Sequence, residues 1–293
     1  MHHHHHEIAD ALRSWDVNHV VVWLLPIAAF LYARGFLRVH RQLPQRYPAR
    51  RLVSFLGGIA VVFLAIASPL HALGELVLSL HMAQHMLLTM LAPPLLWLGQ
   101  PMIPLLRGLP PRLARRILGP ALTSPSCHRL GRAITHPAVC WTALAVAIVG
   151  WHLPRSYELV LHSEIWHDIQ HACFFGAALL FWWPVVEVWP SHRVWPRVAM
   201  IPYLVSADLV NTAQSAILSF SGHLLYPSYA AAAAHTGFGA LDDQALAGVI
   251  MWIPGSIAFL APAIALTMGL FQPERLRQTK VPIAWHRLKR SDV

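Results

Sequence analysis

The feature that most limits what this chain can become is a pair of apolar runs of bilayer length that carry histidines in the same pattern. Leu80 to Pro101 reads LHMAQHMLLTMLAPPLLWLGQP, with His81 and His85 four residues apart. Trp166 to Val185 reads WHDIQHACFFGAALLFWWPV and repeats the spacing with His167 and His171. Both runs contain His-x-x-Gln-His, and in both a tryptophan, Trp97 or Trp183, follows the second histidine by twelve residues. A bilayer offers the backbone no hydrogen-bonding partner, so a spanning segment is a helix or part of a closed barrel, and continuous apolar runs select the helix. On a helix, residues four apart project from one face, one turn above the other. Two membrane helices, each presenting an imidazole pair, predict one metal or haem site built between them.

The same apolar character extends along the chain. Charged residues make up 12% of the sequence and hydrophobic ones 56%, whereas soluble domains carry about 25% charged residues. Seven spans are expected, at roughly 19–38, 52–70, 77–98, 138–153, 165–188, 198–220 and 245–271. The fourth is short for a bilayer crossing and is expected to stand upright or begin earlier. The segment 99–137 is the longest connection and reads as irregular or surface-helical. The connection 221–244, with LLYPSYAAAAAHTGFGALDDQ, is expected to be ordered by its Tyr and Pro residues.

Charge decides the orientation. With the N-terminus outside, the inner segments hold Arg34, Arg38, Arg41, Arg46, Arg50 and Arg51, then Arg107, Arg112, Arg115, Arg116, Arg129 and Arg132. Arg193 and Arg197 follow, and then Arg275, Arg277, Lys280, Arg287, Lys289 and Arg290. Only Arg13 and Arg155 of the 22 basic residues fall outside. The positive-inside rule therefore predicts an all-α integral membrane protein, a bundle of seven transmembrane helices with N-terminus outside and C-terminus cytoplasmic. Its parts are an extracytoplasmic His-rich segment 1–18, the membrane domain 19–271 and a basic cytoplasmic tail 272–293. The net charge of +9 then serves anionic lipid head groups, not nucleic acid. Residues 2–6 are five histidines, a purification tag or a native metal-capturing terminus. The apolar run His19 to Leu37 lacks a basic leader and is long enough to remain as a span.

The topology also sorts the chemistry. Outside lie His19, His71, His81, His85, His152, His162, His167, His171, His223 and His235, with Glu75, Glu158, Glu164, Asp168, Asp242 and Asp243. Neutral imidazoles and carboxylates with few cations favour a bound cation. His81, His85, His167 and His171 are the leading ligands, with His71, His152 and His162 as further candidates along an access path. Met82, Met86 and Met90 recur every four residues beside the histidine face. Thioether donors favour Cu(I), and apolar packing is the alternative reading. Gln84 and Gln170 could orient a ring or line a polar cavity. Asp208, mid-membrane with Asn211 one turn on, is a functional candidate because a buried carboxylate is costly there. Asp242, Asp243 and Gln244 are placed to cap the seventh span.

Cys127, Cys140 and Cys173 form no metal or disulfide pattern. Cys173 lies about 160° round the helix from His171 and reads as packing. No nucleophile, phosphate-binding or dinucleotide motif is present in the sequence, so the chain is not expected to be an enzyme.

The runs HMAQHMLLTMLAPPLLWLGQP, WHLPRSYE, WHDIQHACFFGAALLFWWPV, LLYPSY and DDQALAGVIMWIPG, in that order, resemble the caa3-type CtaG family of cytochrome c oxidase assembly factors. The resemblance runs from about His71 to the end of the seventh span. It implies a multi-pass protein of the bacterial inner membrane and a role in maturing haem-copper oxidases. It further implies oxidase subunits as partners and, by extension, copper, expected as Cu(I), with a periplasmic copper chaperone as a candidate donor. On the residues alone two alternatives stay open. A bis-His haem cytochrome would take one histidine from each span. A metal or proton transporter would use Asp208 and the outer histidines as a relay.

Overall fold

Prolines and apolar runs together set the element boundaries. The computed structural model describes residues 13–16, 20–114, 116, 120, 124–187, 195–230 and 239–270, and its regular elements among these residues are all helical. In chain order they are α1 (Val20–Gln42), α2 (Ala49–Ala67), α3 (Pro69–Leu76), α4 (Leu78–Leu98), α5 (Met102–Gly108), α6 (Pro125–Ile134) and α7 (Pro137–Trp151). They continue with α8 (Pro154–Leu161), α9 (Glu164–Val186), α10 (Met200–Phe220) and α11 (Ala240–Leu270), plus one-turn helices at Pro111–Leu113 and Arg197–Ala199. Helices α3, α6, α7 and α8 each begin on a proline. The first helical residue needs no N–H, and the ring holds φ at a helical value. The histidine run 2–6, His19, His235, Arg115, Arg193 and the tail 272–293 lie outside the described residues.

Among the described residues four helices, α1, α2, α9 and α11, are long and apolar enough to cross a membrane. The number reaches six if α4 with α5 and α6 with α7 each count as one span, bent by 69° and 53°. The short fourth run is thus a 15-residue helix whose amino-terminal neighbour α6 joins it at an angle. The segment 99–137, expected to be irregular or surface-helical, contains α5, the turn at Pro111–Leu113 and α6. α10 has 21 residues but carries Ser206, Asp208, Asn211, Gln214 and Ser215, and it is not among the helices apolar enough to cross. Its polar groups are turned inward: Asp208, Asn211 and Ser215 are buried. Asp208 accepts a hydrogen bond from Ser256 Oγ at 2.7 Å, and Asn211 Nδ2 donates to the Met251 carbonyl at 3.1 Å, both on α11. Asp208 is therefore engaged in the α10–α11 contact.

Side-chain donors repair the backbone where proline interrupts it. Pro93 cannot bond to the carbonyl one turn back, Thr89, and the helix opens into a π turn over Leu87–Leu91. Trp182 Nε1 donates to that freed Thr89 carbonyl at 2.9 Å. Pro69 frees the Ala65 carbonyl in the same way, and Gln84 Nε2 fills the gap at 2.7 Å. Each repair joins two helices, because an unsatisfied carbonyl in an apolar interior is costly.

α4 packs along α2, α9 and α11, and so occupies the centre. Its C-terminal half meets α9, where Trp97 and Trp183 pack edge to face at 4.9 Å and Trp97 Nε1 donates to the Leu179 carbonyl at 2.8 Å. The repeated twelve-residue spacing thus holds two co-directional helices in register. The histidine pairs then lie about 18 Å away, at their other ends.

α1 and α5 cross backbone to backbone at two glycines. A Cβ on Gly35 would stand 1.8 Å from the Pro104 carbonyl oxygen, and one on Gly108 would stand 1.9 Å from that of Leu31. Gly35→Ala or Gly108→Ala is expected to force these helices apart and cost about 1–3 kcal/mol or more, as overpacking does. A lowered melting temperature in detergent checks this, and an unchanged one would show that the crossing is loose.

Candidate metal centre

At one end of the bundle the connections fold into a roof. Tyr226 hydroxyl donates to the His152 carbonyl and Tyr229 hydroxyl to the Gly74 carbonyl, both at 2.9 Å. Ser228 hydroxyl donates to the Glu158 carboxylate. Burial pushes the phenols of Tyr157, Tyr226 and Tyr229 above their ordinary range, so they stay protonated. The segment 221–230 is ordered by its Tyr residues, as its composition suggests. Gln244 adds to this by accepting from Leu225 N at 2.7 Å.

Beneath the roof, α4 begins at an extended residue, Val77, which turns the chain after α3. The first amide groups of a helix lack internal partners. Here the buried carboxylate of Asp243 supplies them, accepting from Leu78 N at 2.7 Å and Ser79 N at 3.2 Å. The acidic residues before the seventh span were expected to cap their own helix. Asp243 instead caps α4, which places a negative charge against its positive end. That cap sits less than one turn before His81.

The two histidine pairs meet. His81 and His85 pack at 4.3 Å between ring centroids, His167 and His171 also at 4.3 Å. Across the helices His81 lies 5.2 Å from His167 and 5.9 Å from His171, and His85 lies 5.3 Å from His171. His71 joins from α3, stacked on His167 at 5.1 Å. His81 and His85 are 1% exposed and His171 is 8% exposed, while His71 and His167 sit at the half-buried edge. One ligand nitrogen from each of His81, His85 and His171 lies within 4.8 Å of the others, and the same holds for His71, His167 and His171. Metal–nitrogen bonds of about 2 Å require donor atoms somewhat closer than this, which small side-chain rotations supply.

Both ring nitrogens of His85, and Nε2 of His81, are buried without a hydrogen-bond partner among the described residues. Such groups are costly unless a partner or an ion completes them. An ion with soft nitrogen preference fits this donor set; imidazole suits copper, zinc and iron.

The remaining candidates fall around the cluster. His152 packs 6.3 Å from His85 and its Nδ1 donates to the Ile148 carbonyl at 2.7 Å, but it belongs to neither group of three. His162 is exposed, 3.9 Å from Glu158. Met82 is buried among Leu78, Tyr157 and Tyr226, and Met90 among Phe174 and Leu144, with Met86 against both groups. The methionine stripe thus packs beside the histidines. Cys173 is exposed, not packed in the interior, and lies outside both groups. Gln84 orients a ring, with Nε2 at 3.2 Å from His71 Nδ1.

Sequence reasoning missed the role of Asp243 as the cap of α4 and found the roof only in outline. Adjacent acids before a helix signalled a cap, but nothing local said whose.

Comparison with known proteins adds the last observation. The family described as cytochrome c oxidase caa3 assembly factor matches residues 30–272. Similar curated proteins include two uncharacterized proteins, from Mycobacterium bovis and Mycobacterium tuberculosis. Each is 27% identical over 187 residues, which is 62% of this chain and 28% of the relative. An uncharacterized protein of Mycobacterium leprae is 26% identical over 159 residues, 54% of this chain and 24% of the relative. The match therefore spans less than a third of these relatives' length. No solved structure matches the chain.

Proposed function

Since this chain belongs to the cytochrome c oxidase caa3 assembly factor family, we propose that it holds copper at the histidine cluster as cargo for a haem-copper oxidase. The observation that carries this reading is the buried, unpartnered His85 facing His81 and His171. Few ligands and no thiolate give a site that a partner can empty by ligand exchange. The role requires no catalysis by the chain itself. Oxidase subunits are the acceptors, and a periplasmic copper chaperone is the donor. Rings in mutual contact at 4.3–5.9 Å suit a small ion better than a macrocycle between the helices.

The protein sits in the bacterial cell membrane as seven spans within 19–271. The segment 1–18 is outside and the basic tail 272–293 is in the cytoplasm. The segregation of charge along the sequence supports this orientation: Arg38, Arg51, Arg107 and Arg197 fall in or beside the segments expected inside, and Glu75, Glu158 and Glu164 in those expected outside. A reporter fused to the C-terminus should be active only on the cytoplasmic side, and external activity would overturn the topology.

Protein purified without residues 2–6 should retain about one copper per chain and show no Soret band. Loss of all copper on this truncation would assign binding to the histidine run, and a Soret band would favour the bis-His haem reading.

A further inference from the structure

The histidines are not five equal ligands. They form two groups of three, His71–His167–His171 and His81–His85–His171, which share His171. A neutral imidazole has one lone-pair nitrogen. His171 therefore serves one ion at a time, and the groups are alternative positions for a single ion.

Their surroundings differ in a directional way. His81 and His85 are 1% exposed, whereas His71 and His167 are partly exposed as residues, with Nε2 of His167 itself buried. A cavity of about 400 Å³ is lined by one histidine of each group, His167 and His81, together with Glu75, Glu164 and His162. Carboxylates at the mouth attract a cation. The unpartnered Nε2 of His81, on a ring that is 1% exposed, offers a ligand at the inner end.

The outer position is also the weaker one. Gln84 Nε2 is fixed in orientation by its bond to the Ala65 carbonyl at 2.7 Å, and it approaches His71 Nδ1 at 3.2 Å. An amide nitrogen donates, so the His71 lone pair lies on Nδ1 and its hydrogen on Nε2. Ligation through Nε2 requires the other tautomer and gives up the Gln84 bond. His85 has no hydrogen bond to lose at either ring nitrogen.

We infer that the cluster is a two-position relay for Cu(I): the outer group takes the ion from the cavity, and His81 and His85 then replace His71 and His167 while His171 remains bound. In each exchange one metal–nitrogen bond forms as another breaks, and no electron is transferred. This rests on the copper reading above and adds the order of ligands and the direction of transfer.

The test delivers Cu(I) from a chromophoric chelator to protein lacking residues 2–6, and measures uptake rate and equilibrium affinity separately. His71→Ala with His167→Ala should slow uptake about 10-fold or more and change affinity little. His81→Ala with His85→Ala should keep fast uptake and lower affinity about 100-fold or more, beyond the roughly 10–100-fold that loss of a group merely supporting a ligand costs. His171→Ala should reduce both. Should an alanine pair fail to fold, as judged by melting of the copper-free protein, the His→Gln pair replaces it. Equal loss of affinity in both pairs with unchanged uptake rates would indicate one undivided site and overturn the relay. Two coppers bound per wild-type chain would overturn it as well. No copper bound by wild-type protein would instead remove the parent reading, and the relay with it.

Discussion

Replacing His81, His85, His167 and His171 together with alanine is expected to abolish copper binding and the protein's contribution to active oxidase, while the chain remains in the membrane. Five of the six ring pairs among these histidines lie within 6 Å between α4 and α9, and His81, His85 and His171 can share one ion. Single changes test the same point through coupling. His171→Ala should lower Cu(I) affinity about 100-fold or more, and His85→Ala somewhat less, by the scale on which lost ligand support weakens metal sites. The double variant should lose little beyond His171→Ala, because contacts to one ion are not additive. Membrane abundance and the melting temperature of the copper-free protein separate loss of ligand from loss of fold. A quadruple variant that still binds copper and supports normal oxidase levels would end the proposal.

Asp243→Ala is expected to act on the site without touching it. Its carboxylate satisfies the Leu78 and Ser79 amides at the start of α4, and a buried charge-assisted bond lost in this way costs about 1–3 kcal/mol. Freed amides let the first turn of α4 unwind, and His81 lies in that turn's wake. Copper affinity should then fall about 10–100-fold, the range seen when a group supporting a ligand is removed. Asp243→Asn keeps one acceptor oxygen and should recover part of both losses. Unchanged melting and affinity in Asp243→Ala would show that α4 holds its start by packing alone.

Much of this architecture is legible in one dimension because it is local. Bilayer-length apolar runs can only be helical in lipid, and the four-residue spacing fixes which histidines share a face. The repeated Trp97 and Trp183 spacing hints that the two helices run in the same sense, since only then do both pairs and both tryptophans coincide. The prolines also announce where carbonyls will be left open, at Ala65 and Thr89.

The sequence cannot say who fills those openings, and this is where the tertiary structure decides. Gln84 reaches Ala65 and Trp182 reaches Thr89 because packing brings helices distant in the chain to the right depth. Methionines every four residues read as soft donors or as core, and only the placement of Met82 and Met90 in apolar clusters separates the two. Asp243 and Leu78 are 165 residues apart, so no local pattern links that carboxylate to the helix it caps. The sequence by itself determined the helices and the histidine faces, since each follows from backbone satisfaction and helical period. The grouping of those histidines into two triads around His171, with His152 left outside, was decided by helix–helix packing, which acts on distances in space and leaves no trace in spacing along the chain.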